Sequence, residues 1–561
     1  MSDPETDDMP EILSGEDPDP MVRKVFLHVA EPSLRDNRGD VDRVLDMLEK
    51  TAGCPRPTVS LPMARRISET LHDSEFSLTL TLTHANFGFR GEVIDVEPGD
   101  QSDRNFGVAV DLGSTNIAYY LLDLDKGKIL ARRSDENPQI RHGEDILNRI
   151  HYCERPGGLQ DLQEMVIRSF NNNIESMLNM HGIDRHHLYA LAVAGNTTMI
   201  HFFLGLSPQK ICREPYTPVI NRTEIYPAQT LGIIGNENAV IYVLPNVGSY
   251  VGGDVLAGIL VSGMYEDEDL SILVDVGTNA EIVLGNRHWL MVAAGAAGPA
   301  LEGGVVKCGM RAADGSIEKV RIDRKTLRAS CTTIGDGPPQ GICGSGLVDL
   351  MAELFLCGVI DERGKIVSNA SSVVELDGVK AYRLASGDET GTGRDIIISE
   401  LDINNLLRTK GAMYTALTVI TRKAGVSFKD LKHFYVAGTF GAYMDPKMAV
   451  TIGMVPDIPI RTYESLKNSA GTGACISLLS NRKRHELDDI RRKITYLELN
   501  VDGDFMNLLT ASMFLPHTDT KQFPSVLRQR PSEAIAEIGF PLTPESFRVY
   551  IKLEGTRSLS R

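Results

Sequence analysis

Two copies of one short pattern, far apart in the chain, constrain the fold more than any other feature. Phe106–Val110 is an apolar run that leads into Asp111-Leu-Gly-Ser-Thr-Asn116, and Ile117–Leu124 resumes as a second apolar run. Downstream, Ser271–Val274 leads into Asp275-Val-Gly-Thr-Asn279 and then Ala280-Glu-Ile-Val-Leu284, the same order with one residue removed. Each copy reads as strand, tight turn, strand. Its glycine lets backbone N–H groups approach phosphate oxygens, its hydroxyls donate hydrogen bonds, and its acid can hold Mg²⁺ through water. Repetition at this distance predicts two similar lobes facing each other. A third glycine turn, Phe434-Tyr-Val-Ala-Gly438-Thr-Phe-Gly441, follows another strand and predicts backbone lying flat against an adenosine.

These patterns assign roles. Asp111 and Asp275 are the candidates for Mg²⁺, which would bridge phosphates and neutralise moving charge. Gly113, Ser114, Thr115 and Asn116 in the first turn, and Gly277, Thr278 and Asn279 in the second, are the expected phosphate binders. Glu281 either polarises the attacking water or is an outward-facing strand acid. Gly438, Thr439 and Gly441 are expected at the adenosine. Gly298 and Glu302, in GPALEGG, either approach the ribose or let two chain segments pack closely. Asp145 precedes an expected helix over Ile146–Tyr152, whose dipole an acid in the first turn stabilises. Cys343, in GICGSG, reads as a buried thiol, and Trp289, the sole tryptophan, as core.

The length of 561 residues suits about three or four domains of ordinary size. Residues 1–21 carry eight acids and no Lys or Arg, so they are expected to be a disordered acidic tail. Residues 22–103 read as a small α+β domain: VRKVFLHVA as a strand, Val41, Val44, Leu45 and Leu48 on one helical face, FSLTLTLTH as a half-exposed strand, and FRGEVIDVEPG as its partner. The two lobes then span 104–262 and 263–515. Residues 516–561 are expected to form a C-terminal extension, an extended arm across the lobes.

A net charge of −17 argues against a nucleic-acid or anionic-membrane partner, because neutralising phosphates needs a basic surface. No apolar stretch approaches the roughly 18 residues of a membrane helix, and the N-terminus is unlike a secretory signal, so a cytoplasmic location is expected. The eight cysteines and thirteen histidines show no metal-ligand spacing.

The three glycine turns resemble those of the ASKHA superfamily, which includes acetate and sugar kinases, Hsp70 and actin. That resemblance implies an α/β fold with two ribonuclease-H-like lobes and Mg-ATP between them, and its sugar kinases imply a catalytic Asp145 on the substrate side of the cleft as the alternative to a helix cap. NPQIRHGEDILNRI, VAGNTTMIHFFLGL, LPNVGSYVGGD, GPALEGG, GICGSGLVDL and VAGTFGAYMDP, in that order, are similar to segments of the reductive activators of corrinoid proteins. This narrower resemblance covers roughly residues 22–520. It implies an ATPase coupling ATP hydrolysis to reduction of Co(II) to Co(I) corrinoid, with a corrinoid protein of a methyltransferase system as partner, and leaves room for a homodimer. Family members carry iron–sulfur ligands in an N-terminal ferredoxin domain or at the C-terminus. Only Cys54 precedes residue 150 and only Cys475 follows residue 400. No iron–sulfur cluster is therefore expected in this chain, and a separate low-potential, ferredoxin-like protein is expected to donate electrons. A small-molecule kinase and a non-redox ATP-driven protein switch are the alternatives.

Overall fold

A computed structural model describes residues 18–53, 55–83, 91–222, 225–277, 280–295, 306–499 and 503–529, with the side chains of 439, 440 and 442 left undescribed. The small N-terminal unit is an antiparallel sheet of β1 (Val22–His28), β2 (Ser77–Thr83) and β3 (Glu92–Pro98), with β2 central. Helices α1 (Asp40–Ala52) and α2 (Leu61–Asp73) cover one face, burying Val44, Leu45, Leu48, Ile67 and Leu71 against Leu78, Leu80 and Leu82.

The other face of this sheet corrects the expectation of a half-exposed strand. Thr79, Thr81 and Thr83 are as buried as the leucines between them. The threonine face is turned toward the first lobe, where Tyr189 donates its hydroxyl to Asp95 and Glu97, and Asn236 donates to Asp95 at 2.9 Å. Alternating polarity here marks a polar domain interface. A buried carboxylate needs such partners to remain inside.

Lobe I is a six-stranded sheet. β4 (Phe106–Leu112), β5 (Asn116–Asp123) and β6 (Lys128–Glu136) form an antiparallel meander. β7 (Leu188–Gly195) runs parallel beside β4, followed by β9 (Val240–Val243) and the short edge strand β8 (Ile225–Pro227). The helix Gly158–Met180 closes one face, burying Leu162, Val166, Phe170 and Ile174 against Val108, Val110 and Tyr119. Lobe II repeats the plan. β10 (Ser271–Val276), β11 (Ala280–Asn286) and β12 (Trp289–Gly295) form the meander, and the strand His433–Ala437 runs parallel beside β10. Two three-stranded sheets, around Ser316–Ile322 and Val379–Ala385, are inserted before the long helix Glu400–Ala424.

The lobes meet through the helices Gly253–Ser262 and Ser469–Leu479. A Cβ on Gly473 would stand 2.5 Å from the Ala257 Cβ, so the glycine permits the close crossing. Both ends of the described residues are held in the fold, while residues 1–17 of the expected tail and 530–561 of the expected extension lie outside them. Asp19 and Met21 donate backbone N–H groups to Leu479 and Leu478, and Met21 is fully buried, so the expected tail is part of the fold by Asp19. At the other end, Leu515, Phe523 and Val526 are buried in the lobe II core, so the chain through Val526 belongs to that lobe and is no arm across both. Trp289 is only half-buried, packed against the edge of that core. No helix among the described residues is long and apolar enough to cross a membrane.

Candidate active site between the lobes

The β4–β5 and β10–β11 hairpins face one cleft of about 240 Å³. Asp111, Gly113, Ser114, Thr115 and Asn116 line it from lobe I, and Asp275, Gly277, Glu281 and Gly438 from lobe II. A Cβ on Gly113 would lie 2.5 Å from the Asn116 carbonyl, so only glycine closes this turn. Gly438 has φ +84°, and a Cβ there would meet the Val276 carbonyl at 2.7 Å and Asp275 Oδ1 at 2.9 Å. Its backbone therefore lies directly against the second acidic turn.

Strand register decides where the acids go. Asp275 stands opposite Glu281 in the lobe II hairpin, so both carboxylates occupy one end of the cleft, whereas Asp111 stands opposite Ala118. Asp254, in the first turn of the helix Gly253–Ser262, adds a fourth acid from the interlobe seam. Desolvation raises Asp111 to about 7, with Asp254 adding to the rise and a hydrogen bond from Asn468 opposing it. Asp275 is likewise raised to about 7 by desolvation and by Asp254 and Asp111. Asp254 rises to about 6 by desolvation, and Glu281 goes well above the usual carboxylate range by desolvation, Asp254 and Asp275. Four acids crowded at one place favour either a shared proton load or a bound cation.

Asp254, Asn196, Asn468 and Arg311 were not singled out from sequence. Asn196 caps the helix Thr197–Leu204 directly after β7, as Gly438 follows the strand His433–Ala437. The pair Val193-Ala-Gly-Asn196 and Val436-Ala-Gly-Thr439 is the signal that could have found it. Asp254 follows two glycines at the head of an apolar helix, a weaker signal. For Asn468 and Arg311 the sequence carries none.

Several expected residues fall elsewhere. Asp145 is exposed and caps the helix Ile146–Tyr152, accepting from the Asn148 backbone at 2.7 Å, while its neighbour Ile146 lines the cleft. Gly441 packs on Val436 behind the cleft wall. Cys343 is buried at the cleft floor, with its Sγ 3.2 Å from the Ile317 carbonyl. Thr278, Asn279, Gly298, Glu302 and the side chain of Thr439 lie outside the described residues.

The donor set fits Mg²⁺ with a nucleotide. All four acids are hard oxygen ligands, and the Ser469 hydroxyl on the cleft wall is buried without a partner. Asp111 and Asp275 bring one carboxylate from each hairpin to this cleft.

Comparison with known proteins shows the family. Residues 15–103, 106–267 and 269–527 match, in turn, the RACo linker region, the RACo middle region and the C-terminal ASKHA domain of RACo. The corrinoid activation enzyme RamQ of Eubacterium limosum is 31% identical over 474 residues, covering 81% of this chain and 79% of its own. The chain belongs to the RACo family. A more distant relative, the [Co(II) methylated amine-specific corrinoid protein] reductase of Methanosarcina barkeri, is 24% identical over 70% of this chain and 73% of its own. The solved reductive activator for corrinoid, iron–sulfur protein superposes with a TM-score of 0.85 at 37% identity, covering 91% of this chain and 82% of that one. The cleft therefore lies between the RACo middle region and its ASKHA domain, with one acidic hairpin in each.

Proposed function

We propose that this RACo-family chain is an ATP-dependent activator of a corrinoid protein, hydrolysing ATP in the interlobe cleft to drive reduction of Co(II) to Co(I). The observation that carries this reading is the pair of acidic hairpins facing one cleft in a chain that matches all three RACo regions in order.

The first hairpin receives phosphate oxygens on its backbone N–H groups and on Ser114 and Thr115, and Gly277 does the same from lobe II. Gly438 presents backbone to the adenosine. Asp111 and Asp275 would hold Mg²⁺, which would supply charge to offset that of the phosphates. Glu281 orients the water that attacks the terminal phosphorus, giving ADP and phosphate. The electron for cobalt comes from a separate low-potential donor. Hydrolysis contributes only insofar as the lobes bind the corrinoid protein differently before and after it. The setting for this chemistry is the cytoplasm.

The test is one assay combining the full chain, a candidate corrinoid protein and a low-potential reductant, reading ATP turnover and Co(I) absorbance together. Co(I) formation that needs ATP and disappears in an Asp111→Ala/Asp275→Ala variant supports the reading. Hydrolysis without any effect on cobalt refutes the coupling, and absence of nucleotide binding refutes the site.

A further inference from the structure

Arg311 is the one cationic side chain among the described residues that line the cleft, opposite four carboxylates. It belongs to lobe II, yet its guanidinium donates to Glu136 Oε1 of lobe I at 2.8 Å. Glu136 is the last residue of β6 and pairs in register with Asn116 of the first phosphate hairpin. The next residue, Asn137, is fastened to that hairpin twice, from its backbone N–H to the Thr115 carbonyl and from its side chain to the Gly113 carbonyl, each at 2.8 Å. The ion pair therefore ties lobe II to the phosphate-binding turn of lobe I across the mouth of the cleft.

Three observations make this tie exchangeable. Both partners are well exposed, at 44% and 65% of their side-chain surface, and such pairs are weak because solvent screens them. Arg149 lies fully buried nearby, its guanidinium meeting, among the described residues, the Gly143 and Glu144 carbonyls and the Met199 sulfur. Arg149 is lowered to about 10, mainly by desolvation, with the Asp145 charge opposing the fall and the charge of Arg311 adding to it. An anion bound beside Arg311 relieves its repulsion with Arg149. Moreover, a polyphosphate entering beside four acids is not neutralised by one divalent ion, and a guanidinium binds phosphate through paired N–H groups more strongly than it binds an exposed carboxylate.

We propose that Arg311 is a terminal-phosphate sensor, paired with Glu136 in the nucleotide-free protein and transferred to the γ-phosphate when a nucleoside triphosphate binds. This rests on the nucleotide reading of the cleft. The transfer frees Glu136 and releases the tie across the mouth, and loss of phosphate after hydrolysis restores it. The mouth thus has two arrangements, selected by the presence of the third phosphate.

The test is calorimetric titration of the full chain with Mg-ADP and with a non-hydrolysable Mg-ATP analogue, for wild type, Arg311→Gln and Glu136→Gln. Arg311→Gln is expected to weaken the triphosphate about tenfold or more while leaving the diphosphate within about twofold. Glu136→Gln is expected to act in the opposite direction, tightening the triphosphate alone, because no ion pair has to be broken. Equal effects on both nucleotides, no effect of Arg311→Gln, or weakening by both variants would each overturn the sensor while leaving the nucleotide site standing. A wild-type protein that binds neither nucleotide would overturn the functional reading and the sensor together. Both substitutions are at exposed positions, and matching thermal melts of the ligand-free proteins check that the fold is retained.

Discussion

Asn468 donates its side-chain amide to Asp111 Oδ2 at 2.9 Å, although the two residues stand 357 positions apart. The same side chain accepts from the Gly471 backbone at 2.7 Å and so caps the helix Ser469–Leu479. One amide thereby joins the first acidic hairpin to the helix that forms the interlobe seam, and it is the hydrogen bond that restrains the rise in the Asp111 pKa.

Replacing Asn468 should therefore shift chemistry as well as stability. Asn468→Ala removes a cap, costing about 1 kcal/mol in urea unfolding. It also raises Asp111 further, moving the acidic limb of Mg-dependent ATP hydrolysis to higher pH by about half a unit to one unit. Asn468→Asp keeps the cap but adds a like charge, so its pH shift should exceed that of the alanine variant.

The acid cluster sets a stability profile of definite sign. Asp111 and Asp275 ionise near 7 in the fold against 3.8 ordinarily, so between these values the folded chain holds protons that the unfolded chain has released. Their stabilising contribution is complete below about pH 4 and is lost as pH rises through 7. The ligand-free protein should melt progressively lower across that window, and Asp275→Asn should flatten the slope. Mg²⁺ with nucleotide should stabilise more at pH 8 than at pH 5.5, because it binds the ionised carboxylates. An unchanged slope in Asp275→Asn would contradict the assignment.

Gly438 tests the contact between its own turn and the second acidic turn. Alanine there takes up a strained positive φ and drives its Cβ against the Val276 carbonyl and Asp275. Gly438→Ala should cost about 1–3 kcal/mol in stability. Nucleotide affinity should also fall about tenfold or more, measured by calorimetry, because the turn must shift away from Asp275.

Lys410 holds the end of the described chain. It is 2% exposed, and its ammonium donates to the Phe514 and Pro516 carbonyls. Burial lowers its pKa well below the usual lysine range. Lys410→Met keeps the volume but removes the donor to the half-buried Phe514 and the buried Pro516 carbonyls. It should cost about 3 kcal/mol in urea unfolding and open the chain after Phe514 to limited proteolysis, with little direct effect on nucleotide affinity.

Much of the fold was legible because its signals are local. The two hairpins announce themselves through apolar runs ending in Asp and Gly, and backbone hydrogen bonding between adjacent strands needs no distant partner. The same holds for the helix Ile146–Tyr152, whose cap at Asp145 is written into its own first turn. The threonine strand Ser77–Thr83 misled for the opposite reason: alternation reports polarity, and a polar face turns to solvent only when no other domain supplies hydrogen-bond partners for it.

By itself, the sequence determined the duplicated strand–turn–strand units, the glycine that closes the first of them, and the acids Asp111 and Asp275 at their turns, since all of these depend on residues within one hairpin. That Glu281 faces the cleft was decided by strand register. Tertiary structure alone decided that Asp254 completes the acid cluster, that Asn468 steadies Asp111, and that Arg311 reaches Glu136 across the lobes. Those side chains converge only after the helices Gly253–Ser262 and Ser469–Leu479 pack at the seam, and the electrostatics of the cleft arise from that convergence, because charges interact through space whatever their separation in the chain.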